Sequence, residues 1–208
     1  MKRIQENGNS ALLFALANRA RSVPSPEVGT PSVNVMPVTQ IGRPVAKRRV
    51  VVENKADWMG LFEDPESVEA IEVKSNCCNE EDLNEMDLRR FVNLKELIVG
   101  DECFENVEEV KLIGLNELEK VVIGMNSFTK KKSDNWPSST NPKGHFYLKN
   151  CERLRELKID RYSFSVYSVC EIESMPSLKV IEMEDLNGYS NSFYYASLEL
   201  KSEYGRMN

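Results

Sequence analysis

The sequence predicts a short repeat solenoid over residues 67–202: mainly β, with a parallel sheet on the inner face, short second strands opposite, and little helix. Three observations predict it. A segment of the form L-x-x-Φ-x-Φ-G/D, with Φ apolar, occurs four times. The copies are Leu94-x-x-Leu97-x-Val99-Gly100, Leu118-x-x-Val121-x-Ile123-Gly124, Leu154-x-x-Leu157-x-Ile159-Asp160 and Leu178-x-x-Ile181-x-Met183-Glu184. Five residues after the last Φ stands a Phe in three copies (Phe104, Phe128, Phe164), each preceded by Cys103, Ser127 or Ser163. A second apolar pair then ends at Leu112, Leu148 and Ile172. With a fainter first copy at Val68-x-x-Ile71-x-Val73, the leading positions are spaced 26, 24, 36 and 24 residues apart. That is a 24-residue period with insertions of two and twelve.

The period has a physical consequence. Alternation at Φ-x-Φ points two side chains inward and the residues between them outward, as a half-buried strand requires. One repeat cannot bury its apolar face alone, so copies stack and equivalent positions form continuous ladders. Leu94, Leu118, Leu154 and Leu178 make one such ladder, and Phe104, Phe128 and Phe164 another. Gly100 and Gly124 are expected to let the backbone turn sharply out of the strand. The pairs Val110/Leu112, Phe146/Leu148 and Cys170/Ile172 predict the second strand on the opposite side.

The motif L-x-x-L-x-I-G-x-x-S-F, at Leu118 to Phe128 and, with Asp160 for Gly, at Leu154 to Phe164, resembles the leucine-rich repeats of the BspA-like type. The resemblance covers roughly two-thirds of the chain. The family's unit is one residue shorter, and the Pro that often ends its strand is missing here. The resemblance implies a curved solenoid used for protein binding or adhesion, with no catalytic site to carry over.

Residues 1–55 do not fit the repeat and read as a weakly ordered leader. Five of the nine prolines lie from Pro24 to Pro44, interleaved with Ser, Thr, Val and Gly. Met1-Lys2-Arg3 and the apolar stretch from Ala11 to Ala17 faintly resemble a secretory signal. That stretch is only seven residues long and contains its own would-be cleavage site, so a short helix or unstructured start is the expectation. Arg43 with Lys47-Arg48-Arg49 is a basic cluster, read as a solvated linker rather than an import or anionic-surface signal. Residues 56–66, with Trp58, Leu61 and Phe62, should cap the first apolar layer. The spacing of Leu83, Met86 and Leu88 suggests a helix on the convex side of the first repeat. The pattern loosens after Met183, although Leu200 fits a second-strand position. Either residues 194–204 cap the array or the chain is part of a longer one. Residues 203–208 form a tail.

The twelve-residue insertion, at about 129–143, begins with Lys130, Lys131 and Lys132 and carries Trp136. It is either a tolerated surface loop or a binding loop anchored by its Trp.

The chemistry-bearing residues point away from catalysis. The repeat explains three of the five cysteines as core substitutions: Cys103 with Ser127 and Ser163, Cys151 with Leu115 and Met175, and Cys170 with Val110 and Phe146. Cys77-Cys78 fall at the small-then-Phe position. Neither metal, cofactor nor disulfide framework is expected, and a reducing, cytoplasmic location is the default, the alternative being secreted or cell-surface. His145 is the one histidine and should point outward, which leaves no Cys–His or Ser–His pair. The net charge of −6 and the lack of a basic face argue against nucleic acid, and no apolar run is long enough to span a bilayer.

What remains is the outward face of the main sheet: Glu96/Ile98, Lys120/Val122, Glu156/Lys158 and Val180/Glu182. Ile98 and Val122 are apolar neighbours on a charged face. They form a patch flanked by Lys120, Lys158, Glu182 and the glycines, unless the leader or the insertion folds over them. The expected function is therefore a non-enzymatic protein-interaction module, using this face with Lys131 and Trp136 of the insertion. A surface adhesion or structural repeat protein is the alternative. An uncapped C-terminal edge would also favour self-association.

Overall fold

The computed structural model describes residues 46–130, 140–183 and 192–201. Among the described residues the chain is a β-solenoid of about five coils, with two parallel sheets and little helix. In spatial order the first sheet holds β1 (Arg48–Val52), β2 (Val68–Val73), β4 (Glu96–Val99), β6 (Lys120–Ile123), β8 (Glu156–Ile159) and β10 (Val180–Met183). The second holds β3 (Glu85–Asp87), β5 (Glu109–Ile113), β7 (Asn141–Lys149), β9 (Tyr167–Glu173) and β11 (Ser197–Lys201).

The sequence period is the pairing register. Ile71, Leu97, Val121, Leu157 and Ile181 stand side by side across the first sheet. Leu112, Leu148, Ile172 and Leu200 do so across the second. The insertion follows β6 and runs into the start of β7, and it disturbs neither sheet's order. In β4, β6 and β8 the alternation is half-buried, buried, half-buried, buried, so each strand sends two aliphatic side chains into the core. Each fully buried Leu, Ile or Val contributes about 1.5–3 kcal/mol through lost apolar surface.

The corners after the first-sheet strands have a repeated conformation that the sequence pattern did not announce. Cys78, Phe104, Phe128, Phe164 and Phe193 all take the left-handed backbone, with φ between 53° and 61°. Each such residue costs about 1–2 kcal/mol. Two ladders offset it. The Phe104 amide donates to the Cys77 carbonyl of the preceding coil at 3.2 Å, Phe128 to Cys103 at 2.8 Å, and Phe164 to Ser127 at 3.1 Å. The rings of Phe104, Phe128, Phe164 and Phe193 stack in sequence, with centroids 5.2, 4.6 and 4.8 Å apart. The small residue before each Phe donates backward as well. Ser127 Oγ bonds the Gly100 carbonyl at 2.8 Å, Ser163 Oγ that of Gly124 at 2.7 Å, and Ser192 Oγ that of Asp160 at 2.8 Å.

Four expectations change. Residues 1–55 are not leader throughout, because Arg48–Val52 is a strand paired with β2 and Val52 is fully buried. Nor are Lys47, Arg48 and Arg49 of the basic cluster a solvated linker: Lys47 pairs with Glu69 at 3.2 Å, Arg48 Nε donates to Ser67 Oγ at 2.9 Å, and Arg49 pairs with Glu96 at 3.1 Å, while Arg43 and the signal-like start lie outside the described residues. The suggested helix around residues 80–88 is instead β3, where Met86 pairs beside Val110. Finally, Gly100 and Gly124 do not supply a positive φ. A Cβ on Gly100 would lie 2.6 Å from the Ser75 amide nitrogen, and one on Gly124 2.6 Å from the Gly100 carbonyl carbon. Close approach between coils, rather than a turn, requires glycine there.

A short helix and two turns lie between β1 and β2. The helix α1 (Lys55–Gly60) is capped by Asn54, whose side chain accepts from the Asp57 amide at 3.0 Å. Two short 3-10 turns follow. Trp58 and Leu61 are buried, and the indole meets the Phe104 ring edge-on at 4.9 Å. The first coil carries Cys78 where later coils carry Phe, so the indole takes the place of a ring in that column. At the other end Val180 and Ile181 are each 44% exposed.

Candidate functional site on the outer face of the first sheet

The pairing register places the outward residues in two rows. One runs Arg49, Ala70, Glu96, Lys120, Glu156, Val180; the other runs Val51, Glu72, Ile98, Val122, Lys158, Glu182. Ile98 and Val122 are direct neighbours in the second row, both half-buried. Charge surrounds them on both sides, and most of it is internally matched. Glu72 binds Lys74 and lies near Arg49, Lys120 lies 3.9 Å from Glu156, and Lys158 bridges Glu156 at 3.2 Å and Glu182 at 3.1 Å. The Lys74 ammonium holds the Glu72 carboxyl below its ordinary range. Hydrogen bonds to Glu182 and Glu156 raise the Lys158 ammonium above its own. Pairs this exposed contribute little to stability. They leave Ile98 and Val122 as an adjacent aliphatic pair in the middle of the face, with the more exposed Val51 and Val180 at its two edges.

Beside Val122 the face is notched. A groove of about 320 Å³ runs past Gly124 and is bordered by Asp101, Asp160, Lys158 and Glu182. The structure thus brings Val122, Lys158 and Glu182 together at one groove, with Ile98 and Lys120 next to Val122 on the face. Lys131 and Trp136 lie outside the described residues. Asp101 and Asp160 were not singled out from the sequence. The signal for Asp160 was its place in the G/D column, whereas Asp101 gave none, because its position varies from coil to coil.

Elsewhere the chemistry is quiet. All five cysteines are buried and unbridged. Burial pushes Cys78 and Cys170 up to about 12, and Cys103 and Cys151 up to about 11, so these thiols stay protonated at neutral pH. His145 Nδ1 lies 3.0 Å from the Tyr147 hydroxyl on the half-buried outer side of the second sheet. Among the described residues no group of three or more His, Cys, Asp or Glu side chains is placed to hold a metal, and no helix is long and apolar enough to cross a membrane. A depression of about 370 Å³ near the base of the insertion is bordered by Glu105, Glu108, Asn141 and Tyr167. The buried Tyr167 hydroxyl there is already spent on the Val107 carbonyl at 2.6 Å.

No family model matches the chain, and no curated protein and no solved structure matches it.

Proposed function

We propose that this solenoid is a non-enzymatic protein-interaction module whose contact surface is the outer face of the first sheet, centred on Ile98 and Val122. The observation that supports the reading is the pairing of two half-buried aliphatic side chains on neighbouring strands, amid charges already matched to one another and beside an open groove. A patch with an apolar centre and a polar rim is the usual anatomy of a protein contact. In keeping with this, the repeat is read as akin to the leucine-rich repeats of the BspA-like type, on the register L-x-x-L-x-I-G-x-x-S-F.

The test is the pair Ile98→Asp and Val122→Asp. Each should abolish retention of the native binding partner from a lysate of the source cells without lowering the melting temperature. Unchanged retention by both variants would sink the reading. Fractionation of the tagged full-length chain decides between an intracellular module and a surface adhesin.

A further inference from the structure

We propose that the groove beside Gly124 receives a basic side chain, Lys or Arg, from the protein partner that docks on the first sheet; this rests on the reading of that face given above. The groove's charge argues for it. Three carboxylates (Asp101, Asp160, Glu182) border it against one ammonium, Lys158, which leaves an excess of two negative charges. Lys158 is held by Glu156 and Glu182, so its charge is not available to the two aspartates. Among the described residues neither Asp101 nor Asp160 meets a cation. Asp101 accepts from the Met125 amide at 2.8 Å, and Asp160 accepts from the Arg161 amide at 2.6 Å. Every other carboxylate named in the two rows has a Lys or Arg partner.

Geometry supports the same occupant. Asp101 stands directly beside the glycine, since a Cβ on Gly124 would lie 2.5 Å from Asp101 Oδ1. Asp160 occupies the Gly124 column one coil further on. The two carboxylates therefore flank a floor that has no side chain, with the Val122 side chain alongside. A long basic residue matches that arrangement: its methylene stem lies on apolar surface while its charged head seeks carboxylates. A metal ion matches it less well, because among the described residues no three acidic, His or Cys side chains, the bordering carboxylates included, are grouped closely enough to hold one. Complementary charge of this kind chiefly sets partner choice.

The experiment uses the full chain and an array of nine-residue peptides with randomised flanks, in which the central residue is Arg, Lys, Gln, norleucine or Glu. Arg- and Lys-centred peptides should be retained about tenfold more than the Gln and norleucine series, and Glu-centred peptides least. In Asp101→Asn/Asp160→Asn the preference should vanish. The amide oxygens still accept the two backbone hydrogen bonds, so the melting temperature should hold. Val122→Asp should lose all peptides. Peptides retained with no basic preference, or a preference that survives the double substitution, overturn the groove assignment and leave the face standing. So does a lack of retention of every peptide while Ile98→Asp and Val122→Asp still abolish partner capture. If those two face variants alter neither peptide nor partner retention, the reading beneath both is overturned.

Discussion

The two ends of the solenoid are built from the same repeat and behave as different surfaces. At the N-terminal end, β1 and α1 close the array: Val52, Trp58 and Leu61 are buried, and Ile71 in the first full coil is fully buried. At the C-terminal end Ile181 holds the same ladder position as Ile71, Leu97, Val121 and Leu157, which are all fully buried, yet it is 44% exposed. Nothing about isoleucine differs between the two. In a stacked array a residue's burial is supplied by the coil beyond it, so each layer's stability is a property of its neighbours. The capped end needed a non-repeating segment with a Trp to finish the ring column over Phe104.

The largest effect that would test this comparison is at the cap. Trp58→Ala removes a buried indole and should cost about 3–5 kcal/mol, as large-to-small changes at buried aromatic sites do. A change below about 1 kcal/mol in denaturant midpoint analysis would mean that the cap is not cooperative with the array. Next comes a matched pair within one ladder. Leu157→Ala should cost about 2–5 kcal/mol, while Ile181→Ala, nearly half of whose surface is already exposed, should cost about 1 kcal/mol. Equal losses would show that the last coil is covered in solution.

A smaller effect is expected with pH. Four thiols are raised by burial to about 11–12, whereas in the unfolded chain they ionise near their ordinary value of about 8.5. Above that value the unfolded state binds fewer protons than the folded state, so stability falls as pH rises. The thiol contribution is complete below about pH 8.5 and disappears as pH climbs to about 11–12. Melting curves between pH 8 and 11 should show the decline, with a shallower slope in Cys151→Ala. An identical slope would remove the thiols from the explanation. The smallest effect is kinetic. Amides of β10 and β11 should exchange with deuterium before those of β4 and β6, since among the described residues these two strands have a paired neighbour on one side only. Uniform protection across the two sheets would contradict the asymmetry.

Much of this architecture was readable because a solenoid repeats its instructions. Leu97, Val121 and Leu157 announce one column three times, and the pairing across β4, β6 and β8 follows it residue for residue. Where the chain speaks only once, the reading failed. Leu83, Met86 and Leu88 are separated by three and then two residues, a spacing compatible with helix or strand. The Glu85–Asp87 backbone became a strand because β5 offered it a parallel partner. The three consecutive valines at 50–52 carried a strand signal of their own, masked by the basic residues before them. Those basic residues turned out to hold the edge strand to Glu69, Ser67 and Glu96. At the groove, Val122, Lys158 and Glu182 could be placed from the period, but Asp101 could not. Its carboxylate reaches the notch from a column with no consistent residue type.

The sequence by itself determined which residues face inward, which stack on which, and where the twelve-residue insertion had to enter, because hydrophobic periodicity fixes face and register together. Only the tertiary structure decided the left-handed corners at Phe104, Phe128 and Phe164 and the true reason for Gly100 and Gly124. It likewise decided the meeting of Asp101 and Asp160 across a glycine floor. Each of these depends on how closely one coil approaches the next. That distance is set by the packing of the whole stack and is written in no single repeat.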